Sequence, residues 1–97
     1  MKIKRTRQFA TWIDALKDVT ARVRILARIG RLADGNPGDH RNLTDGISEL
    51  RVDVGPGYRV YYTKRGRQVV ILLVGGDKGS QQRDIEKARE LARALKS

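Results

Sequence analysis

Ninety-seven residues suffice for one domain whose folding removes roughly 60–70% of the chain's surface from water, and they leave little room for a second. With no cysteine and a single histidine, disulfide staples are excluded and a thiolate or multi-histidine metal site is not expected. Lysine and arginine total 21 against 11 acidic residues, a formal net charge of +10, and so small a body with that charge attracts nucleic acid, acidic proteins or anionic surfaces.

The N-terminus, Met1-Lys2-Ile3-Lys4-Arg5, has no apolar leader, and the longest apolar run is Val69–Val74. That is far short of the ~20 residues a membrane helix needs, so the expectation is a cytoplasmic protein without a membrane partner. Residues 2–5 are expected to form a short strand. Thr6 is the expected N-cap of a first helix carrying Phe9, Trp12, Ile13 and Leu16 at helical spacing. Asp18 ends that helix. A second is predicted from Thr20 to Ala33, with Val23, Leu26, Ile29 and Leu32 or Ala33 as its buried stripe and Gly35 just beyond its C-terminus. The two helices are expected to form a hairpin packed on a sheet. Residues 35–46 read as a loop that includes His40, which is expected to be solvated.

The stretch from Ile47 to Tyr62 organises the rest. Leu50, Val52 and Val54 alternate with Glu49, Arg51 and Asp53, while Tyr58, Val60 and Tyr62 alternate with Arg59, Tyr61 and Thr63. Period-two alternation makes two strands with one apolar and one polar face. Gly55-Pro56-Gly57 between them is a turn: proline presets φ and the glycines accept positive φ. Val69–Val74 is apolar on both faces, as in a central strand. Gly75–Gln82 reads as a glycine-rich turn. Ser80 is the expected cap of a last helix with Ile85, Ala88, Leu91 or Ala92, and Leu95 along one side.

Arg51 and Arg59 fall on the polar face of adjacent strands. Two guanidiniums held together repel unless something anionic lies between them, and their planar forks match phosphate or carboxylate. The competing reading is a pair of salt bridges, Glu49 with Arg51 and Asp53 with Arg59. Lys78 follows the third strand, where backbone N–H groups of a helix start could also face an anion. Gly76-Asp77-Lys78-Gly79 lacks the spacing of a nucleotide-binding P-loop. Tyr61 points with the arginines and suits stacking on a single-stranded base; Tyr58, Tyr62 and Trp12 are expected in the core.

These residues form a pattern. Phe9-x-x-Trp12-Ile13, Gly35-Asn36-Pro37-Gly38-Asp39, Glu49-Leu50-Arg51, Gly55-Pro56-Gly57-Tyr58-Arg59 and Gly75-Gly76-Asp77-Lys78 occur in order across nearly the whole chain. In this the chain resembles the RelE/ParE superfamily of toxins from type II toxin–antitoxin modules. It is most similar to the HigB-like, phage-derived branch of addiction module killer proteins. The resemblance implies a single toxin domain over residues 1–97 with an α+β, RelE-like fold: an antiparallel sheet, an N-terminal helical hairpin and a C-terminal helix, in the order β-α-α-β-β-β-α. It implies a cognate antitoxin, operator DNA reached through the antitoxin complex, and cleavage of mRNA on the ribosome without cofactor or metal. Arg51, Arg59 and Lys78 then bind RNA and stabilise charge at phosphorus, with Glu49 or Tyr61 as base. Many RNase members carry a histidine or tyrosine near the C-terminus, and none follows Tyr62 here. Two alternatives therefore stay open: a gyrase inhibitor of ParE type, and a catalytically lapsed nucleic-acid-binding protein.

Overall fold

Thr6 joins the first two elements of the chain. In the computed structural model, which describes residues 1–95, its hydroxyl accepts from Phe9 N at 3.0 Å and donates to Leu73 O at 2.7 Å. One side chain thus caps α1 (Arg7–Ala15) and ties its start to the sheet. The preceding strand, β1 (Lys2–Arg5), runs parallel to β5 (Val69–Asp77). α1 stops at Leu16, before Asp18; the Asp18 carboxylate accepts from Ala21 N at 3.0 Å and caps α2 (Val19–Ala33). That helix stops in a Schellman arrangement, with Gly35 N on Leu32 O and Asn36 N on Arg31 O, both at 2.9 Å, and Gly35 at φ +88°.

Three further strands follow: β2 (His40–Asn42), β3 (Ile47–Val52) and β4 (Tyr58–Arg65). A single 3-10 turn, Lys78–Ser80, then leads into α3 (Gln81–Leu95). The sheet order is β1-β5-β4-β3-β2, and every pairing except β1 with β5 is antiparallel. The expected α+β class is observed, but the sheet is mixed and has five strands. β2, inside the expected loop, pairs with β3 through its backbone while its three side chains are exposed, so no apolar alternation marks it.

Helices cover both faces of this sheet. Against one, Phe9 and Ile13 of α1 and Ile25, Ile29 and Leu32 of α2 pack on Leu50, Val52, Val60, Tyr62, Val70 and Leu72. Against the other, Ala88 and Ala92 of α3 pack on Ile47, Tyr61, Ile71, Leu73 and Val74. The face that alternation marks as polar is therefore largely buried as well. Leu73 and Val74 both reach the α3 side because the β4–β5 register shifts between Tyr61 and Tyr62, a bulge that turns the strand.

Two helical stripes are rotated from their expected positions. α2 buries Ala21, Ile25, Ile29 and Leu32 and leaves Val23 and Leu26 in solvent. α3 buries Asp84, Ala88 and Ala92, with Ile85 and Leu91 half-buried and Leu95 exposed. The small alanines let α3 lie close to the strands. Among the described residues, no helix is long and apolar enough to cross a membrane.

Candidate functional site

The β3–β4 turn closes through Gly57 N on Val54 O at 3.0 Å, with Gly55 at φ +56° and Gly57 at φ +84°. Its register sets Arg51 directly opposite Arg59 and Val52 opposite Tyr58. Gly57 O accepts from Lys78 N at 2.9 Å, which fastens the start of the 3-10 turn beside the hairpin. Arg51, Arg59 and Lys78 consequently line one cleft of about 400 Å³, together with Asp39, Asp53, Tyr58 and the Gly55–Gly57 turn.

Each arginine has its own carboxylate, and neither is the one expected from the sequence. Arg51 holds Asp39, with Nη2 at 2.9 Å and Nε at 3.2 Å from Oδ1. Both side chains are open to water (40% and 55% exposed), so the pair contributes at most ~1 kcal/mol and separates readily. Arg59 donates to Glu49 at 2.9 Å, and here the side chains are 15% and 0% exposed. Glu49 also accepts from Gln81 Nε2 at 3.0 Å and faces Arg41 at 3.6 Å. Asp53 is exposed at the cleft. Lys78 is exposed and forms no ion pair among the described residues.

Glu49 and Tyr61 are placed otherwise than a base must be. Both are fully buried beneath α3 and neither lines the cleft. The Tyr61 hydroxyl lies beside the Glu49 carboxylate without closing a hydrogen bond of ordinary geometry. Burial pushes the phenol up, and the negative charge of Glu49 adds to it, so Tyr61 keeps its proton at neutral pH. Tyr62 is also pushed up by burial, partly offset by the neighbouring Ser48 hydroxyl. The aromatic ring that does reach the cleft is Tyr58, half-buried against Trp12 with ring centroids 6.2 Å apart.

These two phenols give the fold an alkaline limit. A folded pKa above the unfolded value of ~10 means the unfolded state loses protons first. Their contribution is complete below pH ~10 and drains away as pH rises toward the folded values. Stability should therefore fall above pH ~10, with Tyr61 supplying a slope approaching ~1.4 kcal/mol per pH unit and Tyr62 adding in the same direction. Tyr61→Phe should remove the larger part of that slope in urea titrations at stepped pH. An unchanged slope would contradict the burial argument.

Arg28 is a contributor the sequence does not single out. From α2 its Nη1 donates to Arg51 O at 2.8 Å, and its Nη2 to Pro37 O at 2.8 Å and Asp39 O at 3.1 Å. It thereby fixes the loop that presents Asp39 to Arg51. The signal for it was slight: an arginine at a helical position otherwise bound for the core edge. The backbone donors after β5 are already committed, because Asp77 Oδ1 accepts from Gly79 N at 2.8 Å and Ser80 N at 3.1 Å. Asp77 therefore caps the 3-10 turn, and the hydroxyl of Ser80, the expected cap of α3, donates to Asp84. His40 lies outside the cleft, with Nδ1 2.8 Å from Gly38 O.

Gly75 and Gly76, expected in a turn, are the end of β5. The Trp12 ring covers one and the Asp84 carboxylate the other, closely enough that a Cβ would meet them at 2.1 Å and 1.9 Å. These glycines let α1 and α3 approach the strand that delivers Lys78.

The family described as phage derived protein Gp49-like (DUF891) matches residues 11–96. The chain belongs to this Gp49-like family. The family is associated with toxins of toxin–antitoxin modules. An uncharacterized protein of Haemophilus influenzae is 48% identical over 95 residues, covering 98% of this chain and 96% of the relative. The Gp49-like match spans every residue of the cleft and both glycines of β5.

Proposed function

We propose that this Gp49-like chain is the toxin of a type II toxin–antitoxin module, acting in the cytoplasm as a metal-independent endoribonuclease on ribosome-bound mRNA. The supporting observation is the convergence of Arg51, Arg59 and Lys78 in one open cleft with an aromatic ring beside them. Its partners in this reading are the antitoxin, mRNA and the ribosome, with operator DNA reached through the antitoxin.

RNA phosphate exchanges with Asp39 on Arg51, an inexpensive step for an exposed pair, and gains a planar bidentate donor. Lys78 supplies the second charge. Arg59 is largely occupied by Glu49 and forms the floor. As the RNA 2′-oxygen attacks phosphorus and the bond to the 5′-oxygen breaks, charge grows on the phosphoryl oxygens, and in this reading Arg51 and Lys78 stabilise it. In this reading Asp53, an exposed carboxylate of the cleft that holds no ion pair among the described residues, takes the 2′-proton, and Lys78 returns a proton to the leaving oxygen. An ordinary carboxylate is a weak base at neutral pH, so positioning by the ribosome carries much of the rate.

Burial of Glu49 and Tyr61 favours a second reading, a toxin that binds its target without cutting RNA, as a gyrase inhibitor does. Primer extension on mRNA after controlled induction separates the two. Cuts inside codons support the nuclease; growth arrest with DNA damage signalling and no cuts supports the alternative.

The phosphate contacts are tested by salt. Single-stranded RNA affinity should fall with salt by about 0.7 log units per contacted phosphate for each log unit of salt. Lys78→Ala should flatten that slope by about 0.7 and weaken all sequences alike. The same slope in Lys78→Ala and wild type would remove Lys78 from the interface.

A further inference from the structure

α2 carries a second apolar stripe that the chain itself does not cover. Val19, Val23 and Leu26 are 59%, 60% and 46% exposed, the most exposed large apolar side chains among the described residues. With Gly30 they are spaced by four, three and four residues, the a/d repeat of a helix–helix seam. At about 100° per residue the four fall within one narrow sector, roughly opposite Arg28, which reaches back to the sheet. A separate stripe, Ala21, Ile25, Ile29 and Leu32, already serves the core. The outward stripe has no structural task within this chain.

Gly30 is the independent observation. It sits in the interior of α2, where glycine is costly. Its backbone φ is not positive, and a Cβ there would have no neighbour within 4 Å. Neither conformation nor internal packing calls for glycine. A missing side chain at one seam position is what close approach of another helix, or insertion of its large side chain, requires.

The rims identify the occupant. Arg22 borders the stripe on one side; on the other it is bordered by Thr20 and Ala27, with Arg24 and Arg31, both exposed, further round the helix. A second copy would set these arginines against their counterparts on a body of net charge +10. An acidic helix with an apolar seam satisfies both seam and rim.

We propose that the outer face of α2, along Val19, Val23, Leu26 and Gly30, is the docking seam for an acidic amphipathic helix of a partner protein. The inference requires no RNA cleavage and stands apart from the Arg51–Lys78 cleft.

The test uses a synthetic helical peptide with leucines in a heptad seam flanked by glutamates, and a twin flanked by lysines. Fluorescence anisotropy at low salt should show the glutamate peptide binding the full chain at micromolar concentrations and the lysine twin not binding. Val23→Gln with Leu26→Gln, neutral changes at exposed positions, should weaken binding at least tenfold. Gly30→Leu should leave the urea midpoint at or above that of wild type, because the site is open and leucine favours helix, yet should weaken binding to a similar degree. That opposition of stability and affinity is not expected of a merely structural glycine. Equal affinity of wild type and the double variant would mean general attraction to a basic surface and would overturn the proposal, as would absence of binding. Self-association of the wild type that the double variant abolishes would assign the seam to a second copy and overturn it too.

Discussion

Arg59→Ala is expected to lower the unfolding free energy by about 3 kcal/mol, because it leaves the buried Glu49 carboxylate without its main partner. The value sits at the low end for broken buried pairs, since Gln81 and Arg41 still face that carboxylate. Urea unfolding gives the number, and a midpoint within error of wild type would refute the role assigned to the pair. Replacing both partners by apolar residues of similar length, Glu49→Leu with Arg59→Met, should recover most of the loss, because removing two buried charges together removes their desolvation as well.

This bears directly on how toxicity data are interpreted. Arg59 reads from the sequence as a phosphate ligand whose removal spares the fold. Its geometry makes it a stabilising residue first, so loss of growth arrest in Arg59→Ala does not locate the active site. Arg51 and Lys78 are the informative positions. Arg51 has an exposed partner, Asp39, and Lys78 has no ion pair among the described residues, so alanine at either should change stability little.

What the sequence discloses follows the range of the interactions involved. Thr6 and Gly35 act on atoms three residues away, and the start of α1 and the end of α2 were legible from them; Asp18 was read only as a break, although it caps α2. Alternation from Leu50 to Tyr62 disclosed two strands with Arg51 and Arg59 near each other on their polar face, and the structure fixes the register that sets them directly opposite. The choice of ion-pair partners was not legible. Asp39 reaches Arg51 through a loop held by Arg28, and Glu49 selects Arg59 across the strands rather than Arg51 beside it. Nor could periodicity choose between the two apolar stripes of α2, because only the sheet decides which one it covers. Tyr61 was placed on the correct face, but the α3 helix lying over that face is a long-range fact.

Gly75 and Gly76 show the same limit and carry the other large effect. Glycine to alanine in ordinary strand conformation normally stabilises by ~0.4–1 kcal/mol through the unfolded chain. Here neither residue has positive φ, so backbone strain does not oppose the change and sterics alone decides its sign. The added carbon would stand 2.1 Å from the Trp12 ring at position 75, and 1.9 Å from the Asp84 carboxylate and 2.7 Å from Ser80 Oγ at position 76. Both distances are far inside contact, and each blocking group is seated against the sheet. Overpacking costs ~1–3 kcal/mol or more, which exceeds the entropic gain, so each alanine should destabilise by about 2–3 kcal/mol. Coupling identifies the cause. With Trp12→Ala in place the ring is gone, and Gly75→Ala should cost nearly nothing further, a non-additivity of about 2 kcal/mol between touching residues. Gly76→Ala should behave likewise with Asp84→Ala. It should also disturb Lys78, because Asp84 holds the start of α3 through Ser80, next to the turn that carries the lysine. Full additivity in both cycles would mean the glycines are there for some reason other than the approach of Trp12 and Asp84.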